Sequence, residues 1–315
     1  MNKSRKKVSV VTACYNESAN IQPLYERITK ILKDSYELEI IYVDNDSWDN
    51  SPEIYKKLAA QDSRVKVIFM SRNFGTPQTS YFAGLEYSTG DAIVLIDGDL
   101  QDPPEIIPKL LAKWEEGYDV VYGIRKKRQG RFSMRLAYKL FYRVFKKLAY
   151  ISIPLDAGEF GLMDRKVVDK IKNFPESEVY IRGLRAYTGF KQTGIEYTRE
   201  TRRAGHSTTS FIKDIGWAKK LIINFSYKPL EWISIVAFIV FILAVTLGAI
   251  NLFLYLANPN QNQPSGTPTI IFAILLLGSA QLLSLSIIAE YLSRISLEVK
   301  KRPRYIIKEI LNDNQ

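Results

Sequence analysis

The fold of this chain is decided by one stretch, Ile93-Val94-Leu95-Ile96-Asp97-Gly98-Asp99-Leu100-Gln101-Asp102-Pro103-Pro104-Glu105. Its first four residues are apolar and mostly β-branched, which predicts a buried strand. Two carboxylates follow at once, and the glycine between them allows the backbone to bend so that both meet one ligand. The two prolines then end the strand and open a helix.

The polar residues of this stretch carry the oxygen atoms that hard divalent cations prefer. Asp99 and Asp97, with the amide of Gln101 beside them, therefore form a candidate site for Mg²⁺ or Mn²⁺. Such a cation at the end of a strand is well placed to hold a diphosphate. The alternative for so short a pattern is an Asp-rich turn in solvent at the start of a helix.

The residues before this stretch alternate between apolar strands and helices. We expect strands at 8–13, 38–43, 65–70, 92–96 and 119–122, and helices ending near 32, 60 and 88. This alternation predicts an α/β fold with a mostly parallel sheet, in which ligands bind at the carboxyl ends of the strands. Four consecutive strands end in polar loops that begin near Tyr15, Asp44, Arg72 and Asp97.

Charge and motif content narrow the function. The formal net charge of +11 fits a nucleic acid, an anionic membrane or a phosphorylated substrate as partner. No Gly-x-Gly-x-x-Gly follows the first strand and no P-loop is present, which argues against a dinucleotide oxidoreductase and a P-loop NTPase. The single cysteine, Cys14, excludes an intrachain disulfide.

The last third of the chain has a different composition. Residues 233–257 and 269–289 carry no charge, and each run is long enough to cross about 30 Å of hydrocarbon. A polar, Pro-containing loop separates them, and Lys and Arg flank both outer ends. We therefore predict a transmembrane hairpin with spans at about 231–257 and 268–292 and with both flanks in the cytoplasm. Two buried helices of a soluble protein are the alternative.

This organisation predicts two domains. Residues 1–228 form a cytoplasmic catalytic domain, and residues 229–315 form the hairpin and a basic tail. Two helices of the first domain, at about 132–150 and 211–227, are expected to lie on the membrane surface, because apolar residues at helical spacing alternate with Lys and Arg in the first of them. An ordinary core-facing helix is the alternative for 132–150. Nucleic-acid binding has no recognisable module here.

Five motifs together resemble the family 2 glycosyltransferases with a GT-A fold. They are Thr12-Ala13-Cys14-Tyr15-Asn16-Glu17, Val43-Asp44, Ser71-Arg72-Asn73-Phe74-Gly75, Asp97 to Glu105, and Leu162-Met163-Asp164-Arg165. More narrowly, the chain resembles polyprenyl-phosphate glycosyltransferases, the group of bactoprenol glucosyltransferases and dolichol-phosphate mannose synthases, over essentially its whole length. Many of these relatives have Asp-Asp-Gly-Ser where this chain has Asp44-Asn45-Asp46-Ser47, and a basic residue near Thr76, so the sugar stays open.

The resemblance implies a role for each site residue. Nucleotide-sugar binding falls to Ala13, Tyr15, Glu17, Asp44, Arg72, Asp97 and Gly98, with the Asp44 carboxylate accepting a hydrogen bond from uracil. Asp99, Asp97 and Gln101 would hold the metal. The catalytic set is Asp97, Asp99, Glu159 and Asp156, the last two near the acceptor. The lipid phosphate would be bound by Arg125, Arg131, Arg135 and Arg202.

The expected reaction moves a hexose, glucose from UDP-glucose in the first instance, to undecaprenyl or another polyprenyl phosphate at the cytoplasmic face of the cell (inner) membrane. The acceptor phosphate is already anionic at neutral pH, so no strong general base is needed, and in-line attack inverts the anomeric centre. GDP-mannose, UDP-GlcNAc and UDP-galactose are alternative donors. A non-catalytic membrane adaptor that binds nucleotide sugar is the alternative from another class. The resemblance also favours a homo-oligomer.

Overall fold

The computed structural model describes residues 5–32, 35–126, 154, 157–200, 223, 226–257 and 266–313. These residues belong to two compact units. Of the described residues, the first unit contains 5–32, 35–126, 154, 157–200 and 302–313, and the second contains 223, 226–257 and 266–301. Each unit is described by itself below.

The first unit is built on one sheet. The strands are β1 (Lys7–Cys14), β2 (Glu37–Asp44), β3 (Val65–Met70), β4 (Ala92–Asp97), β5 (Val120–Arg125), β6 (Ala157–Asp164), β7 (Gln192–Tyr197) and β8 (Ile307–Leu311). Among the described residues their order is β7-β5-β6-β4-β1-β2-β3-β8. Only β6 and β8 run against the others. The predicted α/β class with a mostly parallel sheet is therefore confirmed.

Helices cover both faces of this sheet. They are α1 (Ser18–Leu32), α2 (Ser51–Gln61), α3 (Pro77–Glu86), α4 (Ile107–Glu115), α5 (Arg165–Lys172) and α6 (Ile181–Tyr187). Alternate strand residues point to opposite faces, so β1 places Val10 in the core beneath α1, α2 and α4, and Val11 in the core beneath α3, α5 and α6. Both faces are buried, which explains the continuous apolar runs of the central strands.

The order of the strands brings the ends of β1, β2, β3 and β4 to one edge of the sheet. β1 pairs in parallel with both β2 and β4, so that Ala13 lies opposite Val43 on one side and Asp97 on the other. The polar loops predicted from the sequence are therefore neighbours in space.

Three strands were missed by the sequence prediction. β6 and β7 add to the edge of the sheet beyond β4. β8 follows the apolar hairpin and pairs antiparallel with β3, with Phe69 opposite Glu309. The residues after the hairpin were expected to form a basic tail, but the structure includes 307–311 in the sheet of the first unit.

The second unit contains two long helices, α7 (Lys228–Ala257) and α8 (Thr267–Val299). The apolar parts that are long enough to cross a membrane are Lys228–Ile250 and Ala273–Val299. Their side chains are exposed, as Phe238 and Leu282 illustrate with 65% and 70% exposure. These helices match the two spans predicted from composition. The predicted surface helix at 132–150, and nearly all of the one at 211–227, lie outside the described residues.

Candidate active site

The loops at the carboxyl edge of the sheet have unusual backbone conformations. Asn16 after β1, Asp46 after β2 and Leu100 after β4 all have positive φ, at 55°, 62° and 58°. Such values are uncommon for residues other than glycine and cluster at functional sites. Side chains hold the first two loops together, because the Asn16 N–H donates to Ser47 Oγ and Asn16 Oδ1 accepts from the Trp48 N–H.

Gly98 is required by space. A Cβ at this position would lie 2.6 Å from Cys14 Sγ and 3.3 Å from the Ala13 carbonyl oxygen on β1. Its φ is not in the left-handed region, so the left-handed bend of this loop falls on Leu100 instead of the glycine. The Leu100 side chain is 1% exposed, and this burial fixes the bend. Asp97 and Asp99 thus stand on a loop pressed against β1.

The two aspartates share one electrostatic environment. Tyr81 on α3 donates a hydrogen bond to Asp97 Oδ1, and the N–H of Gln101 donates to Asp99 Oδ1 at 3.0 Å. Burial, with the nearby Asp102 and Asp99 carboxylates, raises the pKa of Asp97 to about 7. The concentration of negative charge favours a bound cation at this position.

A residue that the sequence prediction did not assign to the site, Arg199, lies among these acids. Its Nη2 is 3.7 Å from Asp97 Oδ2 and 3.7 Å from Asp99 Oδ2, and its Nε is 3.3 Å from Asp102 Oδ1. Arg199 comes two residues after Tyr197, the last residue of β7. No local pattern in the sequence connects this segment to β4.

Asp102 connects the loop after β4 to β5 and β7 through its carboxylate. It is 0% exposed, it accepts a hydrogen bond from the Tyr197 hydroxyl at 2.6 Å, and its Oδ2 lies 3.5 Å from Arg125 Nη2. Burial by itself would lower the pKa of Arg125, but Asp102 and Tyr197 raise it above its usual value. Arg125, predicted to bind a lipid phosphate, is thus also an internal partner of Asp102.

Glu159 lies in an irregular part of β6. The antiparallel pairing of β6 with β4 ends at Leu95 and Gly161, so Glu159 lies two residues beyond the paired part of β6. The pairing of β6 with β5 slips between Tyr122 and Ile124, an irregularity typical of sheets next to active sites. Arg182 Nε is 2.9 Å from Glu159 Oε1. The other oxygen, Oε2, is buried and accepts no hydrogen bond within the described part of the chain.

The motif around Asp164 and Arg165 does not belong to this site. Because β6 runs antiparallel to β4, its last residue, Asp164, pairs with Ala92 at the opposite edge of the sheet. Asp164 caps α5 and accepts a hydrogen bond from Trp114, and Arg165 donates to the Gly90 carbonyl. Asp164 and Arg165 therefore stabilise the amino-terminal edge of the sheet and lie away from the carboxylates of β4.

The loops after β2 and β3 form the other half of the edge. Asp44 is 2% exposed, and its two carboxylate oxygens accept from the Ser47 hydroxyl and the Ser47 N–H. Burial raises the pKa of Asp44 above its usual range. Arg72 is exposed and lies 4.1 Å from the centre of the Phe74 ring.

The remaining residues predicted to bind nucleotide sugar lie near the end of β1. Tyr15 is 39% exposed, so it does not belong to the core. Glu17 is buried and accepts a hydrogen bond from Asn20 Nδ2 at 2.6 Å. The carbonyl of Ala13 accepts from the N–H of Gly98 at 3.2 Å. The predicted residues Arg131, Arg135, Asp156 and Arg202 lie outside the described part of the chain.

A small cavity of about 90 Å³ adjoins Asp44, and residues of β8 contribute to its wall. Lys308 and Glu309 line it opposite Asp46 and Lys56. These two residues were also missed, because nothing in the local sequence connects the end of the chain to β3. A larger cavity, about 410 Å³, lies at the amino-terminal edge near Lys7 and Lys66, away from the carboxylates.

The donor atoms at the end of β4 suit a magnesium or manganese ion. The described residues contain no group of three or more His, Cys, Asp or Glu side chains arranged around one point. Mg²⁺ is typically held by one or two protein carboxylates and by the phosphates of a substrate. Asp97 and Asp99 therefore fit an ion that completes its coordination with a diphosphate.

Comparisons with known proteins agree with this architecture. The family model described as "Glycosyl transferase family 2" matches residues 9–172. The chain is 40% identical to "Uncharacterized glycosyltransferase YkcC" of Bacillus subtilis, over 96% of this chain and 93% of the relative. It is 36% identical to a "Prophage bactoprenol glucosyl transferase homolog" of Escherichia coli and to a "Bactoprenol glucosyl transferase" of Shigella phage SfX, over 96% of this chain and 99% of each relative.

Proposed function

Because the chain belongs to glycosyltransferase family 2 and has its GT-A fold, we propose that it transfers a hexose from a nucleotide diphosphate sugar to a polyprenyl phosphate. The observation that carries this proposal is the pair Asp97 and Asp99 at the end of β4, on an edge that Asp44 and Arg72 share. The names of the bactoprenol glucosyl transferase relatives support undecaprenyl phosphate as acceptor and glucose as the sugar. UDP-glucose is then the donor to test first.

The nucleotide is proposed to lie along the ends of β1, β2 and β3. Asp44 is held rigidly by Ser47 and keeps acceptor capacity for an N–H of the base. Arg72 is exposed and supplies a planar donor for the diphosphate. Tyr15 and Glu17 border the same loop, and Asp97 is within the reach of a ribose or of a metal.

The metal, Mg²⁺ or Mn²⁺, would be held by Asp97 and Asp99 with Gln101 beside them. When bound, it would neutralise the charge that develops on the departing diphosphate. The residues of the chain do the rest. They hold the donor in line with the acceptor phosphate, which is mostly dianionic above its second pKa of about 6 and attacks without a strong base. Direct attack inverts the anomeric centre, which NMR coupling constants of the product would show.

The acceptor side is proposed to lie near Glu159 and Arg125. The buried Oε2 of Glu159 can accept a hydrogen bond from a hydroxyl of the donor sugar. Arg125, together with Arg131, Arg135 and Arg202, supplies positive charge for the lipid phosphate. The helices α7 and α8, with the two predicted surface helices, would hold the domain of residues 1–228 at the cytoplasmic face of the membrane. A homo-oligomer remains part of the proposal.

The test is lipid-linked product from purified full-length protein. The protein is incubated with undecaprenyl phosphate and, in turn, UDP-glucose, GDP-mannose, UDP-GlcNAc and UDP-galactose, with Mn²⁺, with Mg²⁺ or with EDTA. We expect transfer of glucose only, and only with a divalent cation. Transfer of another sugar would correct the donor, and no product with any donor would favour the adaptor.

Asp99→Asn should lower transfer about a hundredfold or more, since it removes a charge placed for the transition state. Its melting temperature should stay close to that of the wild-type protein. Asp169→Asn is the matched control, because Asp169 is an exposed acid on α5. Equal activity of Asp99→Asn and Asp169→Asn would contradict the assignment of the metal site.

A further inference from the structure

Arg199 is positioned as a cation within the proposed metal site. Its Nη2 atom is equally distant, 3.7 Å, from an oxygen of Asp97 and an oxygen of Asp99. Both oxygens belong to carboxylates proposed to bind the divalent ion. The Arg199 side chain is 28% exposed and thus partly accessible to solvent. A guanidinium and a divalent ion therefore have the same two partners.

The backbone around Arg199 is fixed to the loop that carries the acids. Arg199 Nε lies 3.3 Å from Asp102 Oδ1, and the N–H of Glu200 donates to the carbonyl of Gln101 at 2.8 Å. The Glu200 side chain is 2.9 Å from Arg27 Nη2, which also binds Glu105. Arg199 consequently cannot leave the neighbourhood when its Nη2 is displaced. Its side chain can then turn while its charge stays close to Asp102.

The positive charge of Arg199 opposes the binding of a metal ion to the same carboxylates. A divalent ion on the Asp97 and Asp99 oxygens would lie a few ångström from the positive guanidinium, and like charges at that distance repel strongly in a partly buried site. The repulsion disappears when a diphosphate brings negative charge that both cations can share. Arginine is suited to that exchange, since its fork of donors matches phosphate oxygens.

We propose that Arg199 competes with the divalent cation for Asp97 and Asp99, and that it turns to the diphosphate when metal and nucleotide bind together. Arg199 thus weakens the binding of metal alone and strengthens the binding of the metal–nucleotide pair. The inference rests on the proposed function, because it requires a metal and a nucleoside diphosphate at this site. On this proposal, the Arg199 side chain determines that metal binds together with the nucleotide and not before it.

Arg199→Gln separates the two effects because it removes the charge and keeps a polar side chain. Without nucleotide, Mn²⁺ should bind about tenfold more tightly to Arg199→Gln than to wild type, since the competing cation is gone. With saturating Mn²⁺, UDP should bind about tenfold more weakly, since a charge-assisted bond to phosphate is lost. Arg199→Lys keeps the charge, so its affinity for Mn²⁺ alone should return towards the wild-type value. Its affinity for UDP should stay low, because an ammonium group cannot bridge Asp102 and a phosphate in the same way.

The experiment is a titration of full-length protein in detergent, with free Mn²⁺ followed by electron paramagnetic resonance and UDP followed by calorimetry. Arg5→Gln is the matched control, because it makes the same change of charge at an exposed residue before β1, at the opposite edge of the sheet. Thermal unfolding of each variant tests whether the fold is kept. Neither binding constant of Arg5→Gln should change.

Opposite shifts for Mn²⁺ and for UDP support the inference, because a purely structural role of Arg199 would weaken both. If Arg199→Gln binds Mn²⁺ with wild-type affinity, or more weakly, the inference is wrong and the proposed function stands. If, with saturating UDP, the wild-type protein binds Mn²⁺ no better than Asp99→Asn does, the metal site itself is wrong and the inference falls with it.

Discussion

The close approach of Gly98 to β1 leads to a prediction that can be worked out in numbers. In Gly98→Ala the new Cβ would lie 2.6 Å from Cys14 Sγ. Optimal contacts between such atoms are about 3.5–4.0 Å, so one of the two groups must move by about 1 Å. Added atoms of this kind in a packed interior cost about 1–3 kcal/mol of unfolding free energy. We expect a loss within that range.

The same displacement should reach the chemistry. Gly98 lies between Asp97 and Asp99, and a shift of about 1 Å in catalytic groups can lower the rate about a hundredfold. The activity of Gly98→Ala should therefore fall much further than its stability. Initial rates of glycolipid formation and chemical denaturation of the same preparation would measure the two effects side by side.

Cys14, the other residue of this contact, provides the control. Cys14→Ala alone removes one buried sulfur and should cost about 1 kcal/mol, similar to the loss of a buried methylene. In the double variant the clash with the sulfur is gone. Its loss of unfolding free energy should therefore be smaller than the sum of the two single losses by about 1 kcal/mol or more. Activity should recover at least in part. Strictly additive losses, or a fully active Gly98→Ala, would refute the steric argument.

Two further predictions concern contacts outside the two proposed metal ligands. Asp102→Asn should lower the unfolding free energy by about 3 kcal/mol, because it leaves Arg125 and Arg199 without their buried counter-charge; a change below about 1 kcal/mol on denaturation would show that the pairs contribute little. Asn312→Ala removes the bonds from Nδ2 to the carbonyls of Ala59 and Val65 and should cost about 1–2 kcal/mol. In this variant, amide hydrogen exchange should accelerate more in β8 than in the other strands. An equal acceleration in all strands would contradict the idea that the Asn312 bonds hold β8 in place.

The sequence predicts the centre of the sheet well because local signals are strong there. Strands β1 to β4 are apolar on both faces, as expected for parallel strands covered by helices on both sides, and they are separated by helices with their own apolar spacing. Predicted bounds such as 65–70 for β3 coincide with the observed strand. The hairpin is equally local, since composition alone decides whether a helix can span a membrane.

The strands that were missed lack such signals. β6 begins Ala157-Gly158-Glu159-Phe160-Gly161, and two glycines in five residues predict a loop. β8 is a short edge strand with exposed Lys308 and Glu309, and its partner β3 precedes it by more than 200 residues. No pattern within a window of ten or twenty residues can specify that pairing. It comes from the path of the chain after the second unit.

The candidate site residues also fall into two groups, those with a local sequence signal and those whose position depends on distant parts of the chain. Asp97, Asp99 and Asp44 lie at or directly after the ends of β4 and β2, where the rule that ligands bind at carboxyl ends predicts site residues without a structure. Arg199 was missed because about 100 residues separate it from the acids, and a short basic segment elsewhere was a more obvious source of positive charge. Glu159 was assigned only through a family resemblance, and its position in the structure depends on β6, which the sequence did not predict.

The charges around the acids indicate how metal and phosphate groups would bind to this site. Each carboxylate at the end of β4 already has a positive or hydroxyl partner from a distant strand or helix, such as Arg199, Arg125 or Tyr81. Two substrates that both carry phosphate must enter this balanced network. The guanidinium groups can accept them only by exchanging a carboxylate for a phosphate, and the carboxylates released by that exchange need a new cation. A divalent metal that arrives with the diphosphate satisfies both requirements at once. On this argument the metal and the nucleotide sugar should bind together far more tightly than either binds alone.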